Sequence, residues 1–396
     1  MTNMLDSADV VVIGGGIIGN SITYYLAQSG VDVALVEQGD LVSGTSSHCN
    51  AGVVTGAEPV SPLMTLSNDL YQSLGNLFEI DFHYQRGGSY RLIDTEADWN
   101  MISPIVAKQS ARGLPARMVS QQEIHDREPN IACDIQGAVE YILDATLNPI
   151  RFCWALFHEA RRLGARIHRF TQVSSIKVNS RRQIERVQTS RGDIVTENVV
   201  NAAGCWSPAI GEMVGIRIPV VPRRGQVVVT ESAAPFIVNR KLNETGGLRT
   251  ELQIEDPDNR RESAALGVNF VYQYMTDGNI LLGGSREFAG FNVETTPEVI
   301  RAIIRRATRF VPRLKELNCI RTYAGIRPFT PDHLPIVSRT EVKGFYIATG
   351  HEGEGIGLAP LTGKVVSELI LEGKTFVDID HLSFSRFESA TTETLH

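Results

Sequence analysis

The sequence predicts a mixed α/β (α+β) fold: a discontinuous Rossmann-like nucleotide-binding domain, interrupted by a domain built on an antiparallel sheet. Three observations carry it. Val10–Asp40 reads as strand, glycine-rich turn, helix and second strand. Material of the same kind returns near residue 150 and again near residue 345. Between them, from Pro219 to about Gly290, the chain is strand-like, with "TDGN" as a hairpin-turn signal.

Each element of the opening unit has a physical reason. Val10 to Ile13 is a β-branched run, as in a strand buried on both faces of a parallel sheet. Gly14, Gly16 and Gly19 follow in G-x-G-x-x-G spacing. The first permits a tight turn, the second lets a pyrophosphate approach the backbone, and the third lets helix and strand pack closely. Ile18, Ile22, Tyr25 and Leu26 recur at helical spacing, and Gly30 stands where a helix ends. Val31 to Val36 reads as the second strand. It leads to Glu37, an acid placed to accept hydrogen bonds from ribose hydroxyls. The helix N-terminus supplies partial positive charge for a diphosphate.

Further along, "GDLVSGTSSHCNAGVVTG" offers backbone and hydroxyl donors. "SPLMTLSNDLYQSLGNLF" is predicted helical, with Leu63, Leu66, Leu70, Leu74 and Leu77 at spacings of three and four. Gly87–Asp94 reads as a strand and Trp99–Gly113 as a helix. A helix from Pro149 to Gly164 buries Phe152, Leu156 and Ala160, and short strands follow up to "NAAG". Helix returns at "PEVIRAIIRRATRFV" and strand at "GFYIATG". A last helix is entered through Pro360, with Leu361, Val365 and Leu369 on one face. The tail after Phe387 is polar and is expected to fray.

Composition bounds the partners. With 396 residues, 42% of them hydrophobic, two joined domains can each bury a core. A net charge of −7 and the lack of a long basic run argue against nucleic acid. Met1–Ala8 is polar, without the apolar stretch of a signal peptide, and no run is long enough to span a bilayer. Five cysteines without a C-x-x-C pair fit reduced thiols in a cytoplasm and no metal or cluster. The nucleotide unit breaks after Glu37 instead of continuing in βα repeats, which favours FAD over a nicotinamide cofactor.

These landmarks are joined by "GTSSHCNAG", "NPIRFCWAL", "VNAAGCWS", "RRGQ", "YAGIRP" and "GHEGEGIGLAPLTGKVVSELI". Together they resemble, over nearly the whole chain, the D-amino-acid-oxidase-like family of FAD-dependent oxidoreductases. The last motif is most similar to the catalytic beta subunit of bacterial opine oxidases/dehydrogenases. The resemblance implies an FAD-binding domain of residues 1–85, 140–220 and 320–396 and a substrate-binding domain of 86–139 and 221–319. It implies FAD contacts from Gly14, Gly16, Ile17, Ile18 and Gly19, from Glu37 and Gln38, and from Thr45, Ser46, Ser47, Asn50, Ala51 and Gly52. Val173, Ala203, Gly204, Trp206, Gly325 and Arg327 are further implied contacts, as are His351, Glu352, Gly353, Glu354, Gly355 and Ile356. Gly353-Glu354 departs from the Arg-Asn of glycine-oxidase-like sequences, which bears on oxidase behaviour.

The family resemblance implies that Arg327 grips a substrate carboxylate, a task suited to a planar fork. A structural salt bridge is the other reading of Arg327, and Arg223, Arg224 and Arg286 are the other arginines considered for the role. Tyr272 is implied to support the same carboxylate, with Tyr274 as rival and a plain strand tyrosine as alternative. His48-Cys49 reads as a packed pair more readily than as a covalent flavin link, and Asp332-His333 as structural. The implied reaction is hydride transfer from the C–N carbon of an amino acid or an opine-like N-substituted amino acid to flavin N5, followed by imine hydrolysis. Glycine, sarcosine or D-amino-acid oxidase, hydroxyproline dehydrogenase subunit and electron-relay flavin subunit are the alternatives. A larger electron-transfer subunit is the implied partner.

Overall fold

The computed structural model describes residues 4–48, 52–57, 60–233, 237–246 and 265–387. A six-stranded sheet has the order Ile336–Arg339, Phe345–Thr349, Asn198–Asn201, Val10–Ile13, Val33–Val36, Arg166–His168. All its pairings are parallel except that of Ile336–Arg339 with Phe345–Thr349. Val10–Ile13 and Val33–Val36 are buried at every position, which explains their unbroken apolar runs. The second strand is two residues shorter than Val31–Val36: Val31 caps the preceding helix by donating to the Leu26 carbonyl.

Helix Ile17–Gln28 packs between helix Pro149–Arg162 and the final helix Gly355–Leu371. Gly363 lets the last helix approach Ser21, since a Cβ there would lie 2.7 Å from the Ser21 carbonyl carbon. That helix does not begin at Pro360 as expected. It begins at Gly355, and Pro360 lies inside it. A proline there removes the N–H that the Ile356 carbonyl would accept. The Tyr71 hydroxyl donates to that carbonyl instead, from helix Ser61–Leu77. In that helix Leu63 and Leu74 are buried, but Leu66 and Leu77 are exposed.

An eight-stranded sheet forms the other half. Its order is Cys319–Phe329, Val221–Thr230, Ile280–Gly283, Val271–Tyr274, Lys241–Glu244, Ser89–Ile93, Gly137–Tyr141, Ala116–Ser120. The predicted hairpin joins Val271–Tyr274 to Ile280–Gly283. One face packs on helix Pro297–Phe310 through Tyr90, Val228, Leu242, Tyr272 and Leu282. On the other face a rung of directly paired residues runs Tyr323, Val227, Gly283, Val271, Asn243, Arg91. The strand Cys319–Phe329 pairs along its length with Val221–Thr230. The expected domain break at 320 therefore falls inside one strand of this sheet.

Candidate active site

The carboxyl ends of Val10–Ile13, Val33–Val36, Asn198–Asn201 and Phe345–Thr349 converge on a cavity of about 550 Å³, within the range of cofactor sites. The rung face of the large sheet forms its opposite wall, through Val227, Val271, Asn243 and Arg91.

At the nucleotide end, Gly14 has φ +114°, and a Cβ there would lie 2.5 Å from the Ala202 carbonyl oxygen. A Cβ on Gly16 would meet only Ser46 Oγ, at 3.3 Å, so its surface is open to the cavity. Gly19 is not in the wall. It packs against the Gly14 carbonyl, in the helix-packing role its position in the motif requires. Asn20 Nδ2 donates to the Gly15 carbonyl at 2.7 Å and the Gly16 carbonyl at 3.0 Å, which fixes the turn. Glu37 accepts from Gly15 N at 2.6 Å and Gly39 N at 2.7 Å, so its carboxylate is held at the strand end. Ser46 Oγ accepts from Ile17 N at 3.0 Å. The first turn of the helix carries no acidic side chain, leaving its N-terminal dipole to an anion. An open glycine cradle, a fixed acid and an uncompensated helix start fit the diphosphate and ribose of a dinucleotide such as FAD.

Ile17, Ile18, Gln38, Thr45, Gly52, Val173, Ala203, Gly204 and Trp206 all line the cavity, as do Gly325, Arg327 and the run His351, Glu352, Gly353, Glu354, Gly355, Ile356. Asn50 and Ala51 lie outside the described residues, as do Cys49 and the side chain of Ser47. The final helix starts at the cavity wall, with Glu354 as its N-cap. His351 is buried, with Nε2 3.1 Å from Thr362 Oγ1. Burial pushes its pKa down to about 3, so the imidazole is neutral at physiological pH.

Arg327 projects from Cys319–Phe329 over the opposite strand. Its guanidinium covers Gly225, where any Cβ would collide with it, and Nη1 donates to the Ser285 carbonyl at 3.0 Å. Arg286 also lines the cavity. Arg223 is ion-paired with Glu352, which is 3.0 Å from His333 Nδ1. Arg224 points to the other face, onto Glu287 at 2.7 Å, as strand alternation requires.

Tyr272 is a correction. It is fully buried on the helix-packed face, and its hydroxyl donates to the Val238 carbonyl at 3.0 Å. Its neighbour Val271, not Tyr272, faces the cavity, and Tyr274 shares the packed face. Asp332 and His333 do not form a pair: Asp332 binds Arg386 and His333 meets Glu352. His48 Nδ1 lies 3.0 Å from the Gly44 carbonyl, and its ring meets Tyr323 edge-on. Sequence reasoning missed Arg91, Lys241 and Asn243 in the wall. The available signal was a charged or polar residue at alternate positions of strands that are otherwise buried.

Residues 9–369 match the family model described as FAD dependent oxidoreductase. The chain is 29% identical to the hydrogen cyanide synthase subunit HcnC of Pseudomonas aeruginosa over 96% of each chain. It is 27% identical to the glycine oxidase of Geobacillus kaustophilus over 96% of this chain and 97% of that one. The crystal structure of L-proline dehydrogenase from P. horikoshii aligns with a TM-score of 0.88 at 26% identity, covering 97% of this chain and 99% of that one.

Proposed function

Because the chain belongs to the family of FAD-dependent oxidoreductases, we propose that it oxidises the C–N bond of an amino acid or an N-substituted, opine-like amino acid. The observation that carries this reading is Arg327, a planar cation aimed across a glycine at the wall of the cofactor cavity. A carboxylate bound there in a bidentate grip fixes which carbon of the substrate faces the cofactor. Relatives named for glycine and for proline, a primary and a secondary amine, support both substrate types.

Gly14, Gly16 and the start of helix Ile17–Gln28 would hold the diphosphate, Glu37 the ribose, and the run from His351 to Ile356 the ring system. When bound, FAD supplies the two-electron acceptor. The protein's own tasks are to anchor, orient and exclude water. The neutral His351 and the N-terminus of helix Gly355–Leu371 offer polarity without a mobile proton, and the dipole favours negative charge gathering at that end. The large sheet closes the opposite side with Val227 and Val271.

The electrons are proposed to leave through a larger partner subunit in the cytoplasm. A relative that is itself named as a subunit supports this, as does the Gly353-Glu354 departure. Among the described residues no helix is long and apolar enough to cross a membrane, and Cys133, Cys205 and Cys319 form no disulfide. The test is anaerobic reduction of the FAD-loaded protein by a panel of amines, followed by air or an artificial dye. Bleaching by amino-acid-type amines, and reoxidation faster by dye than by oxygen, is the expected result. No bleaching by any carboxylate-bearing amine would remove the reading. Rapid peroxide formation would make the chain an oxidase.

A further inference from the structure

The cavity wall holds two basic side chains, Lys241 and Arg91. Lys241 and Asn243 alternate toward the cavity from Lys241–Glu244, and Arg91 lies directly across from Asn243 on the next strand. Lys241 is 7% exposed and Arg91 6%. Among the described residues neither side chain has a hydrogen bond or an ion pair. The guanidinium carbon of Arg91 lies 5.5 Å from the centre of the Tyr141 ring. Beside them Asn243 Oδ1, an acceptor, is buried without a partner. Gly52 makes room for Lys241, because a Cβ there would collide with Nζ.

Among the described residues no acid is hydrogen-bonded to Lys241. Asp144 is fully buried and accepts from Thr55 N at 2.7 Å, Thr55 Oγ1 at 2.6 Å and Ser89 Oγ at 2.6 Å. Asp144 and Glu354 act on Lys241 through space. Burial, with a lesser contribution from Arg91, depresses the ammonium pKa against their pull. Donors that line a cavity without a protein acceptor can be met by an anion bound in it.

Arg327 is a separate station. Its guanidinium lies over Gly225 and near Gly284. Gly284 exchanges hydrogen bonds with Asn269, and one strand further across the sheet is Lys241–Glu244. At about 4.8 Å per strand, and with the offset along the strands, the two stations lie roughly 10–15 Å apart. That separation suits two carboxylates flanking one amine, each gripped by a long cationic side chain.

We propose that Lys241 and Arg91, beside Asn243, form a second anion subsite, which takes the second carboxylate of an N-carboxyalkyl amino acid while Arg327 holds the first. The inference rests on the amine-oxidising reading above and narrows its substrate to iminodicarboxylates.

The experiment uses the FAD-loaded protein and two pairs of probes. Glutarate and butyrate carry two and one carboxylates and no oxidisable amine. Their binding is read from the perturbation of the flavin spectrum. Iminodiacetate and N-methylglycine are the matching substrates. The wild type is expected to bind glutarate at least about tenfold more tightly than butyrate, the scale of one charge-assisted hydrogen bond. Lys241→Met and Arg91→Met should erase that preference. They should lower kcat/KM for iminodiacetate at least about ten times more than for N-methylglycine. Arg327→Met should lower both substrates together. Lys241→Arg should restore the preference, and it keeps the question open to test if the methionine variants do not fold. Equal losses on the mono- and dicarboxylate probes would overturn the proposal and assign these cations to the cofactor. A wild type indifferent to the second carboxylate would overturn it too. If no amine reduces the flavin, the amine-oxidising reading fails, while the glutarate titration still decides the subsite.

Discussion

Arg327 and Gly225 form one device, because the guanidinium occupies the space a side chain at Gly225 would need. Arg327→Met is expected to leave FAD bound. Losing one partner of a desolvated charge pair costs about 2–5 kcal/mol, or roughly 30- to 5,000-fold in kcat/KM. The loss should be much smaller for a substrate amide, whose charge pair is already missing; steady-state kinetics on acid and amide checks this. Gly225→Ala should show the same pattern in weaker form, with the melting temperature and flavin content little changed and KM raised, since the methyl pushes the guanidinium off its seat. The place of Arg327 in the cavity wall was legible in the sequence because a motif surrounds it. Tyr272 was misplaced because alternation was not tied to a face: Val271 and Tyr272 point oppositely, and only the pairing of Leu242 with Tyr272 against helix Pro297–Phe310 reveals which is inside. Lys241 and Arg91 belong to no motif, so their burial became visible only once the strands were paired.

At the scale of elements, the opening strand–turn–helix was read almost residue for residue, because hydrophobic run, glycine spacing and cap all act locally. Gly16→Val should therefore place a branched side chain in the open cradle, and the protein should purify without yellow colour, checked by its absorbance spectrum. The final helix was read less well, because what lets it start at Gly355 is not local. Pro360 leaves the Ile356 carbonyl without its helical donor, and Tyr71, 285 residues away in sequence, supplies one. Tyr71→Phe should orphan that buried carbonyl and cost about 1–3 kcal/mol of stability. Denaturant titration gives the number. Because Ile356 lines the cavity, flavin affinity should fall in parallel.

Across the whole molecule, the nucleotide half and the interrupting antiparallel sheet were foreseen, but the seam between them was not: 320 lies within a strand that hydrogen bonds hold to the large sheet. Nothing in composition marks such a seam, since the strand is continuous through it. Acid stability belongs to this scale. His351 has a folded pKa of about 3, against about 6.5 in an unfolded chain. The unfolded state thus binds the extra proton first, and stability falls as pH drops from about 6.5 toward 3, by up to about 1.4 kcal/mol per pH unit. His351→Gln should flatten that limb, seen by subtracting denaturation curves of variant and wild type at pH 7, 5.5 and 4.5. The rung of paired residues across the large sheet has a further consequence. The proposed coenzyme contacts come chiefly from the ends of the parallel strands, whereas Val271, Asn243 and Arg91 stand on neighbouring ladder positions of the other sheet. Their side chains can be exchanged one at a time without altering a backbone hydrogen bond or the glycine cradle. If the proposed subsite holds, selection can redraw the appetite of the enzyme by single substitutions while its redox centre is inherited intact, which would make this scaffold a ready source of new amine specificities.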